Sequence, residues 1–157
     1  MQNGEQAFAH LLDSRPTVGR LTELCEENYE RLCRLVPGLR RLQAGHACRV
    51  GRQTELYLEV LEQARFMSRI RLTHYFDASR GTREPDPDME IRVYHDARVV
   101  EVLGLRQHVL PTHTLYQAPG LLNKWRANLF LAKWLLFCLQ QGHCFVPDRS
   151  ATEAIPA

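Results

Sequence analysis

His95 and Asp96 stand side by side in RVYHDARVVEV, where a carboxylate next to an imidazole could orient it for acid–base work or metal binding. The same break, His95-Asp96-Ala97-Arg98, also suits a hairpin. Met89, Ile91 and Val93 alternate with Glu90, Arg92 and Tyr94 before it, and the alternation resumes at Val99 or Val100. Asp favours tight turns because its carboxylate can bond the N–H two residues on, and His tolerates unusual φ. Neighbours in a strand point to opposite faces, so the two side chains meet only if the turn folds them together. A structural turn is the reading we prefer, with the acid–base pair as its alternative.

Glu62 and Arg65 flank Gln63-Ala64, so a carboxylate–guanidinium pair could close that link. Exposed, it would contribute under ~1 kcal/mol; a role in holding a ligand is the alternative. Asn28 lies beside an apolar stripe, and a buried amide must find hydrogen-bond partners. It is expected to tie its helix to a loop or strand backbone, with Asn128 as a counterpart on a second helix. His46-x-Cys48 and His143-Cys144 would offer zinc four ligands if they met, but the spacing matches no zinc framework, and no metal is expected. His108 and His113 have the wrong spacing for two ligands on one helical face and are expected to face solvent.

Arg40, Arg41, Arg49, Arg52, Arg65, Arg69 and Arg71 make the middle of the chain locally basic, and Arg69 and Arg71 share a strand face. Interleaved with Tyr57, Phe66 and Tyr75, they could bind phosphates or single-stranded nucleic acid. Glu55, Glu59 and Glu62 can balance them, and a solvated outer face is the preferred reading. The net charge of +2 supplies no general pull toward nucleic acid or membrane. There is no Walker loop, dinucleotide-binding glycine pattern, Gly-x-Ser-x-Gly elbow or His-Glu-x-x-His, so the chemistries built on them have no support and no cofactor is expected.

The elements that must position these residues are legible. With 157 residues, 45% hydrophobic and 24% charged, the chain can bury a single core. Residues 1–20, with Gly4, Pro16 and Gly19, read as a flexible arm with one helical turn near Phe8–Leu12; 21–147 read as one domain and 148–157 as a disordered tail. Leu21, Leu24, Cys25, Leu32, Leu35 and Val36 recur at helical steps, with Thr22 near the cap and Pro37-Gly38 as the stop. Period-two patterns predict strands over 47–53, 55–62, 66–76, 89–94 and 98–103, joined as antiparallel hairpins because the links are too short for parallel crossovers. The face of the third carries Ile70, Leu72, His74 and Phe76. DASRGTREPDPD reads as the longest break between strands, 104–120 as an irregular functional cover, and Leu121–Gln141 as a second helix capped by Gly142. The five cysteines lack any Cys-x-x-Cys pair and read as reduced core thiols. The start of the chain lacks a secretory pattern and the apolar run Leu129–Leu139 is too short to span a bilayer, so a cytoplasmic location without membrane contact is expected.

Several motifs occur together: Leu24-Cys25-Glu26-x-Asn28-Tyr29, Glu62-x-x-Arg65-Phe66, Tyr94-His95-Asp96-Ala97 with Glu101-Val102, and Asn128-x-Phe130-Leu131-Ala132-x-Trp134-Leu135-x-x-Cys138-Leu139-x-x-Gly142. In this combination the chain resembles the YqiB-like family of small bacterial cytoplasmic proteins over residues 16–147. The resemblance implies a bacterial cytosolic protein without an assigned activity. In that family an acidic pair followed by Lys commonly precedes the last helix; here Leu121-Leu122-Asn123-Lys124 keeps only Lys124, so chemistry through those carboxylates is not expected.

The expected fold is α+β: an N-terminal helix, an antiparallel sheet of about five strands and a C-terminal helix on one sheet face. The expected function is a non-catalytic binding or regulatory module. An unknown protein partner or small anionic ligand would meet the sheet face or a cleft edged by Glu62, Arg65, Tyr94 and His95, with Asn28, Asn128 and Lys124 as further binding candidates. The alternatives are an enzyme with His95, Asp96 and Arg65 acting on an anionic substrate, and a basic-face RNA binder.

Overall fold

The computed structural model describes residues 16–52, 54–77, 83–106 and 120–146. In chain order they form α1 (Val18–Leu35), a 3-10 turn (Leu39–Arg41), β1 (Ala47–Val50), β2 (Glu55–Gln63), β3 (Met67–Asp77), β4 (Arg83–Tyr94), β5 (Val99–Arg106) and α2 (Leu121–Gln140). The sheet is an antiparallel meander in the order β1-β2-β3-β4-β5. The proposed turn at Phe8–Leu12, and His108 and His113 with most of the 104–120 stretch, lie outside the described residues.

Because side chains alternate across each strand, one sheet face collects the apolar rows. Val60, Ile70, Ile91 and Val102 are register partners in successive strands, and Leu58, Leu72 and Met89 form a parallel row beside them. Both helices cover this face, with Leu32 and Leu35 from α1 and Leu131, Leu135 and Cys138 from α2 in the same core. Each fully buried Leu or Ile in it contributes roughly 1.5–3 kcal/mol through burial. A smaller cluster joins Leu24 of α1 to Trp125 and Ala132 of α2. No helix among the described residues is long and apolar enough to cross a membrane.

Several element ends differ from the sequence expectation: β1, expected to reach Gln53, ends at Val50, and three others are informative. Helix α1 starts at Val18 because Thr17, not Thr22, caps it: the Thr17 hydroxyl accepts from the Arg20 N–H at 3.2 Å, while Thr22 sits inside the helix and donates to the Val18 carbonyl at 3.0 Å. Strand β4 begins at Arg83, well inside the stretch read as a break. Two prolines there suggest an interruption, but β5 pairs with β4 only from Asp88 onward, so at Pro85 and Pro87 the strand has β3 as its one ladder neighbour among the described residues, and the register shift between Thr73 and Tyr75 leaves Pro87 outside the paired positions. Strand β5 runs on to Arg106, and Gly104 falls where the pairing with β4 shifts between Glu90 and Ile91.

Candidate functional site

The β4–β5 turn decides the fate of the His95-Asp96 pair. Tyr94 and Val99 are register partners, so residues 95–98 form the loop, with Arg98 at φ 57. The His95 N–H donates to the Phe66 carbonyl at 2.8 Å. This bond turns the imidazole inward, where it is 6% exposed, while Asp96 points to solvent. The two side chains do not come together as a catalytic pair.

His95 instead joins a buried network whose direction can be read. The Gln63 amide nitrogen lies 2.8 Å from the Leu39 carbonyl and 2.7 Å from that of Leu42, both acceptors only, so Nε2 faces them and Oε1 faces Ser68. Ser68 therefore donates its hydroxyl proton to Gln63. The Ser68 oxygen is then left to accept from His95 Nε2 at 2.8 Å, which places the imidazole proton on Nε2 and leaves Nδ1 to accept from the Tyr29 hydroxyl at 3.5 Å. A nucleophilic serine needs the opposite polarity, with the imidazole taking the hydroxyl proton. Burial lowers the His95 pKa and Arg40 adds to the effect, against a smaller opposing pull from Asp96, so the ring is held neutral. The network ties α1, the 3-10 turn and strands β2 and β3 to the β4–β5 turn. Sequence reasoning missed Ser68 and Gln63, although Ser68 shares the apolar phase of Ile70 and Leu72, where a polar residue needs a buried partner.

A second buried histidine lies farther along β3. The Trp134 indole N–H donates to His74 Nδ1 at 2.8 Å, so that nitrogen carries no proton. Burial, with His143 nearby, pushes the His74 pKa down to about 4. The His143 ring centre is 6.2 Å from that of His74, and its Nε2 is 3.5 Å from Thr54 Oγ1. Among the described residues no three His, Cys, Asp or Glu side chains are grouped to hold a metal ion. All five cysteines are free thiols. Burial pushes Cys25 and Cys48 up to about 11 and Cys138 up to about 12, which keeps them protonated and unreactive.

Asn28, Asn128 and Lys124 do meet, at the seam between the helices. Asn28 Nδ2 donates to the Asn128 carbonyl at 2.9 Å, and Asn128 Nδ2 donates to the Lys124 carbonyl at 2.8 Å. Lys124 reaches Glu101 of β5 at 3.8 Å. Asn28 Oδ1 is buried without a partner among the described residues. The arrangement holds the helices together.

Glu62, Arg65 and Tyr94 are not gathered around His95. Glu62 pairs with Arg69 at 3.3 Å rather than with Arg65, because Arg69 is its cross-strand partner. The Arg65 guanidinium stacks 5.0 Å above the Phe66 ring, and its carbonyl accepts from Arg40. Tyr94 lies on the sheet face opposite the helices, its hydroxyl between Arg92 and Glu101 at 3.4 Å from each. On that face Arg69 also meets Glu90 at 2.6 Å, and Arg71 grips both oxygens of Asp88 at 2.7 Å. Burial alone would raise the Asp88 pKa, but the bonds from Arg71 and Thr73 hold it below the usual carboxylate value. Arg69 and Arg71 thus face carboxylates, and the surface alternates in sign instead of forming a positive lane for phosphates.

The sequence pattern of a family described as "Protein of unknown function (DUF1249)" matches residues 31–144. The chain is 29% identical over 140 residues to "Uncharacterized protein YqiB" of Escherichia coli strain K12, an alignment covering 84% of this chain and 95% of that protein. The same figures hold for the proteins of that name in the O6:H1 and O157:H7 strains. No solved structure matches.

Proposed function

We propose that this chain, which belongs to the DUF1249 family of proteins of unknown function, works as a non-catalytic protein-binding module in the bacterial cytoplasm and meets its partner with the sheet face opposite the helices. The observation that carries this reading is the preordered array on that face. Tyr75 packs edge to face at 4.5 Å on the buried Tyr57, Tyr94 is held between Arg92 and Glu101, and Arg69 and Arg71 are fixed by carboxylates. Tyrosine and arginine on rigid strands are the residues that dominate interface energies, and holding them in place lowers the entropy lost on docking. The neutral, inward-turned His95 supports the same reading, since its network leaves no base facing solvent.

Site-specific photo-crosslinking in extract of the native host tests it. A photoreactive phenylalanine at Tyr94 should yield a discrete adduct that one at Glu23 of α1 does not. Excess unlabelled protein should erase the adduct, and Arg92→Glu, which breaks no ion pair among the described residues, should compete about tenfold less well. Equal labelling from both positions, or no adduct at 94, would overturn it.

A further inference from the structure

Away from that face, the β1–β2 turn meets the end of α2 around a pocket of about 300 Å³ whose lining includes Gly51, Arg52, Thr54, His143 and Cys144. We propose that this pocket binds a tetrahedral oxyanion of phosphate or sulfate size, held by Arg52, Thr54 and His143. Gly51 makes room for the site. It has φ 99, and a Cβ there would lie 2.7 Å from Cε1 of His143 and 2.2 Å from the Thr54 carbonyl, so only glycine lets the imidazole approach.

His143 is 7% exposed, yet the one side-chain hydrogen-bond contact it makes among the described residues is the 3.5 Å approach of Nε2 to Thr54. Nδ1, on the ring edge turned toward Gly51, has no hydrogen-bond partner among the described residues. An unpartnered ring nitrogen on a largely buried side chain at the pocket wall is a polar group that a ligand could bond. A ring protonated on both nitrogens would donate through Nε2 to Thr54, which keeps its own O–H to donate, and through Nδ1 to the anion; burial lowers the His143 pKa, so the anion must itself draw the second proton on. Arg52 makes no ion pair with the described residues and brings a permanent positive charge. No carboxylate is among the described residues lining the pocket.

The carbonyl end of α2 would oppose an anion, but its groups are occupied: those of Phe137, Cys138 and Leu139 accept from the N–H groups of Gln141, His143 and Gly142. The other titratable groups at this end are the Cys144 thiol, whose Sγ contacts the Arg34 carbonyl, and neutral His74 beneath. Neither is a carboxylate.

The test is a sulfate titration of the full chain followed by NMR, with sodium chloride matching ionic strength. Sulfate should give saturable shifts at Gly51, Thr54, Gly142 and His143, and saturation should raise the His143 titration midpoint by about one pH unit, because the bound dianion favours the imidazolium. Arg52→Glu, at an exposed turn, should weaken sulfate by tenfold or more, an order-of-magnitude figure for a lost charge-assisted contact, and His143→Gln should abolish the saturable shifts. Glycerol phosphate binding tighter than sulfate would assign the site to a phosphate ester; weaker binding would assign it to the free anion. Identical shifts in chloride, or sulfate binding that survives Arg52→Glu, would overturn the proposal, and the Arg52 variant decides it even if His143→Gln fails to fold. The crosslinking result at Tyr94 is unaffected by either outcome.

Discussion

Two buried histidines hang from the covered side of the sheet, and they differ in the character of their partners. His95 bonds to hydroxyl groups, Tyr29 and Ser68, which can either give or take a proton. His74 receives its bond from an indole, which only donates. A proton added to His95 Nδ1 can be met by turning the Tyr29 hydroxyl around. A proton added to His74 Nδ1 would set two donors against each other with the charge of His143 close by. The difference teaches that burial alone does not measure how acid-sensitive a histidine is; the chemistry of the facing group does.

The largest effect expected from that contrast is on acid stability. The His74 pKa lies near 4 in the folded protein against a reference of 6.5, so the unfolded chain binds the extra proton first. Its contribution is therefore complete above about pH 6.5 and lost as the pH falls to about 4, a decline on the order of 3 kcal/mol. Urea unfolding across that range should show this slope, and His74→Leu should flatten it while lowering stability at pH 7 through the orphaned indole N–H. A variant with the wild-type slope would mean that another group carries the acid response.

Next in size is Ser68→Ala, which strands the Nε2–H of His95 and Oε1 of Gln63 together; a loss of about 2 kcal/mol at pH 7 is expected by denaturant unfolding. Tyr29→Phe removes the long 3.5 Å contact to His95 and the hydroxyl's hydrogen bond with Cys33 and should cost about 1 kcal/mol, with the His95 titration by NMR still below the free imidazole value. Asp96→Ala comes last. With the carboxylate in solvent, stability should change by less than about 0.5 kcal/mol. A larger change, or a large move of the His95 titration, would restore the His–Asp pair that the turn geometry separates.

Much of the scaffold could be read from residue order. Alternation marked all five strands, and three- and four-residue spacing marked both helices, because one-sided burial imposes those periods. Misreadings gathered at element ends, where a single hydroxyl at Thr17 outranks the apolar pattern and the lack of β5 pairing before Asp88 lets Pro85 and Pro87 sit in a strand. The seam residues Asn28 and Asn128 were recognisable as polar positions beside apolar stripes. The inward turn of His95 was not, because it depends on the Phe66 carbonyl, which reaches the turn only through the pairing of β3 with β4. Nor could sequence bring His143 to Gly51: they approach only once α2 lies across the sheet.

The sequential strand order also bears on how the chain is made. Each strand pairs with its immediate neighbours in sequence, so the sheet closes through short loops as it emerges from the ribosome. Helix α1 is synthesised before all of it, yet Leu24 waits for Trp125 and Ala132, and Asn28 for the carbonyl of Asn128, one hundred residues later. During translation the first helix is a half-built surface whose apolar stripe lacks its final cover, and α2 completes that cover only near the end of elongation.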